Sequence, residues 1–199
     1  ERKQVEESLS TVYAAFANKT PEQLKSDPAA LAIGQRIFLN NCSQCHGADA
    51  RGSRSFPNLT DGDWLYGGTG EKIIETITDG RNGIMAPQAA AFDSPADIEN
   101  TAQYVLSLSG SATDAVKAQK GKSGYQVCAA CHGPEGKGNP DLGAPNLTDK
   151  VWLHGGGLTR VMNAINHGFN NQMPAHAEIL TKDQINVLAG YVMSLSEKR

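Results

Sequence analysis

The chain has 199 residues, of which 39% are hydrophobic, 20% charged and 6% aromatic, and its formal net charge is −3. This composition suits one or two globular domains. No stretch approaches the ~20 apolar residues that span a bilayer, no charged start leads into an apolar run as a signal peptide would, and nothing suggests nucleic-acid binding. The first residues, Glu1-Arg2-Lys3, contain no Met. They read as the start of a processed or truncated product, after loss of a signal peptide or of an N-terminal membrane anchor.

In chain order, Val5, Leu9, Val12, Tyr13 and Phe16 fall on one face of a helix within residues 1–28. That helix is expected either to pack on the first domain or to serve as a tether. Asp27-Pro28 reads as an N-cap followed by Pro at the first helical position, opening a helix with Leu31, Gly34, Ile37, Phe38 and Leu39. The helix leads into Cys42-Ser43-Gln44-Cys45-His46. Short helices fit Glu71 to Thr78 and Leu158 to Asn166. Ser94-Pro95 opens a longer one, running to Leu108, with Ile98, Ala102, Val105 and Leu106 at helical spacing. A small, polar linker is expected at Ser109 to Thr113. Cys128-Ala129-Ala130-Cys131-His132 follows, and Thr181-Lys182-Asp183-Gln184 forms a capping box for a last helix carrying Ile185, Leu188, Val192 and Leu195. No segment shows sustained strand alternation.

All four cysteines are used in the two C-x-x-C-H runs, which are the attachment signal for haem c. The spacing has a chemical reason: two thiols add to the two vinyl groups of one haem, and the adjacent imidazole reaches the iron from the same face. A zinc site needs four ligands gathered on one metal, and a thioredoxin-like dithiol needs a βαβ context. Neither accounts for a His directly after the second Cys, twice. Two covalently bound haem c groups are therefore expected.

The chain is also a duplication. The haem motifs are 86 residues apart. Phe56-Pro57-Asn58-Leu59-Thr60-Asp61 returns as Ala144-Pro145-Asn146-Leu147-Thr148-Asp149, and Trp64-Leu65-Tyr66-Gly67-Gly68 as Trp152-Leu153-His154-Gly155-Gly156, both at an offset of 88. Tyr104-Val105-Leu106-Ser107-Leu108-Ser109 returns as Tyr191-Val192-Met193-Ser194-Leu195-Ser196 at an offset of 87. The expected fold is all-α: two tandem cytochrome c domains, residues 29–110 and 111–199, after an extension at 1–28. Each repeat is small for an independent core, and a haem supplies the missing apolar filling.

Four methionines are available as second axial ligands. Met162 and Met193 align with Ile74 and Leu106 and read as core. Met85 and Met173 occupy equivalent places, close to Pro87 and Pro174, and are the assigned iron ligands beside His46 and His132. His154, His167 and His176 compete within the second repeat. The carbonyls of Pro57 and Pro145, shortly after each motif, are available to hold the other ring nitrogen of each haem His.

The paired Pro-Asn-Leu-Thr-Asp runs, the Trp-Leu-Tyr-Gly-Gly and Trp-Leu-His-Gly-Gly runs, Gly80-Arg81-Asn82-Gly83-Ile84-Met85, Met173-Pro174-Ala175-His176 and the closing Tyr-Val-x-Ser-Leu-Ser runs resemble one family closely over residues 20 to 197. It is the extra-cytoplasmic part of the dihaem subunit (CcoP or FixP) of cbb(3)-type cytochrome c oxidases, whose repeats are similar to class I cytochromes c. The resemblance implies electron transfer without catalysis by the chain itself. Electrons would pass from a soluble donor cytochrome c to the monohaem cytochrome subunit and the oxygen-reducing catalytic subunit. It implies a place on the periplasmic face of the inner membrane, with a missing N-terminal anchor. Trp64, Trp152 and Arg81 look like residues that pack on or bond haem propionates in monohaem cytochromes c. Phe169 stands where a second Arg would be usual, and Ala86 separates Met85 from Pro87. Alternatives are a soluble dihaem shuttle of the c(4) type and, less favoured, a dihaem peroxidase with an open iron position. Residues 29–110 sum to −4 and 111–199 to +2, which suggests an acidic first repeat steering a basic donor.

Overall fold

The computed structural model describes residues 12–196. Val5 and Leu9, which anchor the expected N-terminal helix, lie outside them. Within them, Tyr13 and Phe16 are buried and Val12 is half exposed. The chain turns through Phe16 N–H to Tyr13 O and Lys19 N–H to Phe16 O, and reaches the short helix α1 (Pro21–Leu24).

Helix α2 (Pro28–Asn41) starts where Asp27 accepts from the amides of Ala29 and Ala30, so its first orphan donors are satisfied by a side chain. Ala30, Gly34, Ile37 and Phe38 are its buried positions, while Leu39 is exposed. A four-residue turn, α3 (Ser43–His46), carries the first haem motif. Thr69 caps α4 (Gly70–Asp79), which buries Ile73 and Ile77. Ser94 caps α5 (Pro95–Leu108). Then come α6 (Ala115–Gly121), α7 (Gln126–His132) over the second motif, α8 (Leu158–His167) and α9 (Lys182–Ser196). The capping box at α9 forms: Thr181 N–H donates to Gln184 Oε1, and Gln184 N–H to Thr181 Oγ1.

The all-α expectation needs one correction. Strands β1 (Arg81–Met85) and β2 (Phe169–Met173) form a two-stranded ladder. Each is five residues with a half-buried/exposed alternation, too short and too polar to show a strand period in the sequence.

The compact units do not follow the repeat. One holds residues 12–62, 67–81 and 173–196, and the other holds 63–66 and 82–172. They cut across the expected boundaries of 29–110 and 111–199. In the first unit α2 crosses α9, the closing helix of the second repeat. A Cβ at Gly34 would collide with the Tyr191 Cβ there, and the rings of Phe38 and Tyr191 lie 5.7 Å apart. Leu24, Phe38, Val187 and Leu188 are fully buried in this unit. In the second unit α5, the closing helix of the first repeat, packs on α6 so closely that Gly121 has room for no side chain against the Asn100 carbonyl. Ile98, Ala102, Val105 and Leu106 of α5 share one core with Tyr125, Leu147, Val161 and Ile165 of the second repeat. The five residues 109–113 are enough to fold α5 back on the next helix, so it pairs with its chain neighbour.

Candidate functional site: two thiol-imidazole turns

Each motif ends in a helical turn closed by a glycine in the left-handed region, Gly47 at φ 79° and Gly133 at φ 78°. A side chain there would be strained, and the chain then doubles back to its Pro-Asn-Leu-Thr run. That return places Pro57 O 3.0 Å from His46 Nδ1 and Pro145 O 2.9 Å from His132 Nδ1. Each carbonyl accepts from Nδ1–H, which fixes the ring and leaves Nε2 with the lone pair. Both imidazoles are buried. Burial lowers the pKa of His46, opposed by the Pro57 bond and reinforced by the charge of His176. The proline carbonyls are themselves held in place, because Asn58 Oδ1 accepts from Thr60 N–H and Oγ1 and Asn146 Oδ1 accepts from the matching atoms of Thr148.

Cys42 and Cys128 are half-buried, and Cys45 and Cys131 exposed; none is in a disulfide. Burial pushes the Cys42 and Cys128 thiols up to about 11. Among the described residues no three His, Cys, Asp or Glu side chains converge as a metal cluster would require. The donor set therefore fits haem c in both units: two thiols on one turn, and beside them an oriented imidazole with a free Nε2.

The two assigned methionines lie in units that their place in the repeat does not suggest. Met173 belongs to the unit of His46, and Met85 to the unit of His132. The end of α4 meets the Met173-Pro174 backbone: Gly80, at φ 72°, lies where a Cβ would meet Met173 O, Pro174 C and Ala175 N. Gly168, at φ 65° after α8, stands in the same relation to Met85 O, Ala86 C and Pro87 N. The match extends further. His176 N–H donates to Ile77 O at 2.9 Å in the first unit, and Gln88 N–H to Ile165 O at 2.8 Å in the second. Each methionine is half-buried.

Arg81 reaches back to α4, donating from Nε to Thr76 Oγ1 and from Nη1 to Glu75 Oε1 at 2.7 Å. Trp64 and Trp152 are both half-buried, and both belong to the second unit. Trp152 lines a cavity of about 640 Å³ there, together with Gln103, Leu106, Lys150 and the 111–114 linker. Of the competing histidines, His167 is exposed, and His154 stacks on Phe169 at 3.7 Å and is hydrogen-bonded to Asn171. His176, placed by sequence order in the second repeat, is in the first unit.

Two residues escape the sequence reading. Tyr125, buried ahead of the second motif, donates from its hydroxyl to Gly133 O at 2.8 Å and packs against Tyr104 at 5.3 Å. Tyr66 lies over Gly143, in the loop leading to Pro145, with its hydroxyl near Gly83 of the Met85 strand. Gly143 was the available signal for Tyr66, since a Cβ there would run into its ring.

Two thiol-imidazole turns, each with an oriented His and a methionine segment in its own unit, define a pair of c-type cytochrome domains. Comparison with known proteins narrows this. The family model for cytochrome c oxidase, cbb3-type, subunit III matches the chain twice, over residues 29–105 and 116–192. The chain is 58% identical over 189 residues to the cbb3-type cytochrome c oxidase subunit CcoP of Rubrivivax gelatinosus, an alignment covering 95% of this chain and 62% of that protein. It is 41% identical to the subunit FixP of Azorhizobium caulinodans, over 92% of this chain and 67% of the relative, and 36% identical to CcoP of Rhodobacter capsulatus, over 97% and 70%. The chain belongs to the cbb3-type cytochrome c oxidase subunit III family, and it spans about three-fifths of the length of the Rubrivivax relative. Among the described residues no helix is long and apolar enough to cross a membrane.

Proposed function

We propose that this chain is a dihaem electron-transfer module of a cbb3-type oxidase, with the axial ligands exchanged between its repeats. Cys42, Cys45 and His46 hold one haem c, and Met173 supplies its second ligand. Cys128, Cys131 and His132 hold the other, completed by Met85. The grouping of each methionine with the haem motif of the other repeat carries this reading.

When bound, haem c supplies an iron that cycles by one electron between two oxidation states. The chain's own residues keep that change small in structural terms. Pro57 and Pro145 fix the imidazole rings. The cysteines hold the haem edge where the chain is exposed, so that a partner can approach it. Gly80 and Gly168 let the methionine segments pass against α4 and α8. Thioether ligation raises the potential relative to a second imidazole. With both irons filled by protein ligands, neither is open to a substrate, which favours electron transfer over a peroxidase. The relatives are named as oxidase subunits, and this supports partners inside such a complex: a monohaem cytochrome subunit and the catalytic subunit. We place the module on the periplasmic face of the inner membrane, receiving electrons from a soluble cytochrome c.

Haem content and the absorption spectrum of the purified protein, with carbon monoxide added to the reduced form, test this. Two haem c groups per chain, both low-spin and neither binding carbon monoxide, are expected. A high-spin haem that binds carbon monoxide contradicts electron transfer as the only role and brings the catalytic reading forward.

A further inference from the structure

His176 has no partner in the second unit. Its place in the loop is that of Gln88, since each backbone amide bonds an isoleucine carbonyl in the last turn of the other repeat's short helix, Ile77 of α4 for His176 and Ile165 of α8 for Gln88. Gln88 turns its side chain back on its own loop, donating to Ala86 O. His176 instead carries an imidazole that is only 8% exposed, and its Nδ1 is buried without a hydrogen-bond partner. A buried polar atom left in this way calls for an explanation.

His176 lies three residues after Met173, in the same unit as His46. Three residues span at most about 10 Å, so this loop carries two iron-binding side chains, a thioether and an imidazole, close together in the unit of His46. What distinguishes His176 from His46 and His132 is the missing carbonyl on Nδ1. An imidazole without that acceptor is a poorer and less well oriented ligand, which leaves the position to Met173 while Met173 is intact.

We infer that His176 is a reserve axial ligand for the first unit's haem, taking the iron when the Met173 sulfur is lost, and that the second unit has no such reserve. The assignment rests on Met173 being the resident ligand proposed above. The exchange involves no net redox change: the iron–sulfur bond breaks, an iron–Nε2 bond forms, and neutral imidazole gives up no proton. Oxidation of Met173 to the sulfoxide by a peroxide is one route to it.

The test compares Met173→Leu with Met85→Leu in the full chain, by spin state and carbon monoxide binding. Met173→Leu should remain low-spin, lose one methionine–iron band, shift one haem to a lower potential and bind no carbon monoxide. Met85→Leu should give one high-spin haem that binds it. Adding His176→Gln to Met173→Leu should turn the first haem high-spin as well. If Met173→Leu alone is high-spin, the reserve role is wrong. If the two single variants exchange behaviours, Met85 rather than Met173 is the ligand beside His176; the pairing is then wrong, and this proposal falls with it. A double variant that loses its haem altogether would show His176 to be structural and equally overturn it.

Discussion

At the scale of single residues, the proposed sites depend on groups other than the proposed iron ligands. Gly168 is the clearest case. It holds φ 65°, and any side chain would meet the Met85 carbonyl. Gly168→Ala combines left-handed strain with a backbone clash and should cost about 1–3 kcal/mol or more, seen as a lower melting midpoint together with loss of one methionine–iron band. An unchanged spectrum would show that Gly168 does not set the Met85 segment. The candidates for haem attachment were legible because attachment chemistry demands adjacent Cys and His. Which methionine shares a unit with which His was not legible. The repeat places Met85 some 40 residues after His46, but sequence order carries no information about which unit a loop joins. Arg81 illustrates the same limit: its propionate contact is an expectation from resemblance, and its bonds to Glu75 and Thr76 on α4 carry no mark in the sequence.

At the scale of elements, helices α2, α4, α5, α8 and α9 were legible, and α1, α6 and the strands were not. Caps mark helix starts with a specific hydrogen bond, which is why Asp27, Ser94 and Thr181 located three of them. Five-residue strands at the methionines carry no comparable mark. The caps also predict acid behaviour. Asp27 is held below the usual carboxylate range, first by the hydrogen bond from Lys19 and then by the Ala30 amide. Because its folded-state pKa is depressed, its contribution is complete above the unfolded-state value near 3.8 and is lost as pH falls through the lower folded-state value. Asp27→Ala should therefore lower the melting midpoint near neutral pH and make no difference in strong acid. A deficit that persists at low pH would assign the effect to something other than the carboxylate. Helix α9 makes a second prediction. Leu188 is fully buried in the unit that contains His46. Leu188→Ala should cost about 2–5 kcal/mol in chemical denaturation, and the haem signal lost first should be that of His46, in the opposite half of the sequence.

At the scale of the whole molecule, the exchange of closing segments changes what charge and fragmentation can be expected to do. The repeats differ by six charges in sequence order, whereas the described residues of the compact units differ by one. The described residues of the first unit hold 8 basic and 9 acidic side chains, and those of the second hold 6 and 8. An acidic first half steering a donor loses its basis, because the acidic α5 belongs to the second unit and the last segment to the first. Fragments cut at the repeat boundary, 29–110 and 111–199, would each separate a haem His from its methionine and a helix from its crossing partner. Each should therefore bind haem without methionine ligation and bind carbon monoxide when reduced. A fragment with a normal methionine–iron band would show that the exchange is not obligatory.

The pairing of His46 with Met173 can be read with one haem present. In a chain carrying Cys128→Ala and Cys131→Ala, only the haem of His46 remains covalently attached, so its methionine–iron charge-transfer band can be read alone. Adding Met173→Leu should abolish this band, and adding Met85→Leu should leave it. Loss of the band with Met85→Leu, and its survival with Met173→Leu, would contradict the exchange and return each haem to a single repeat.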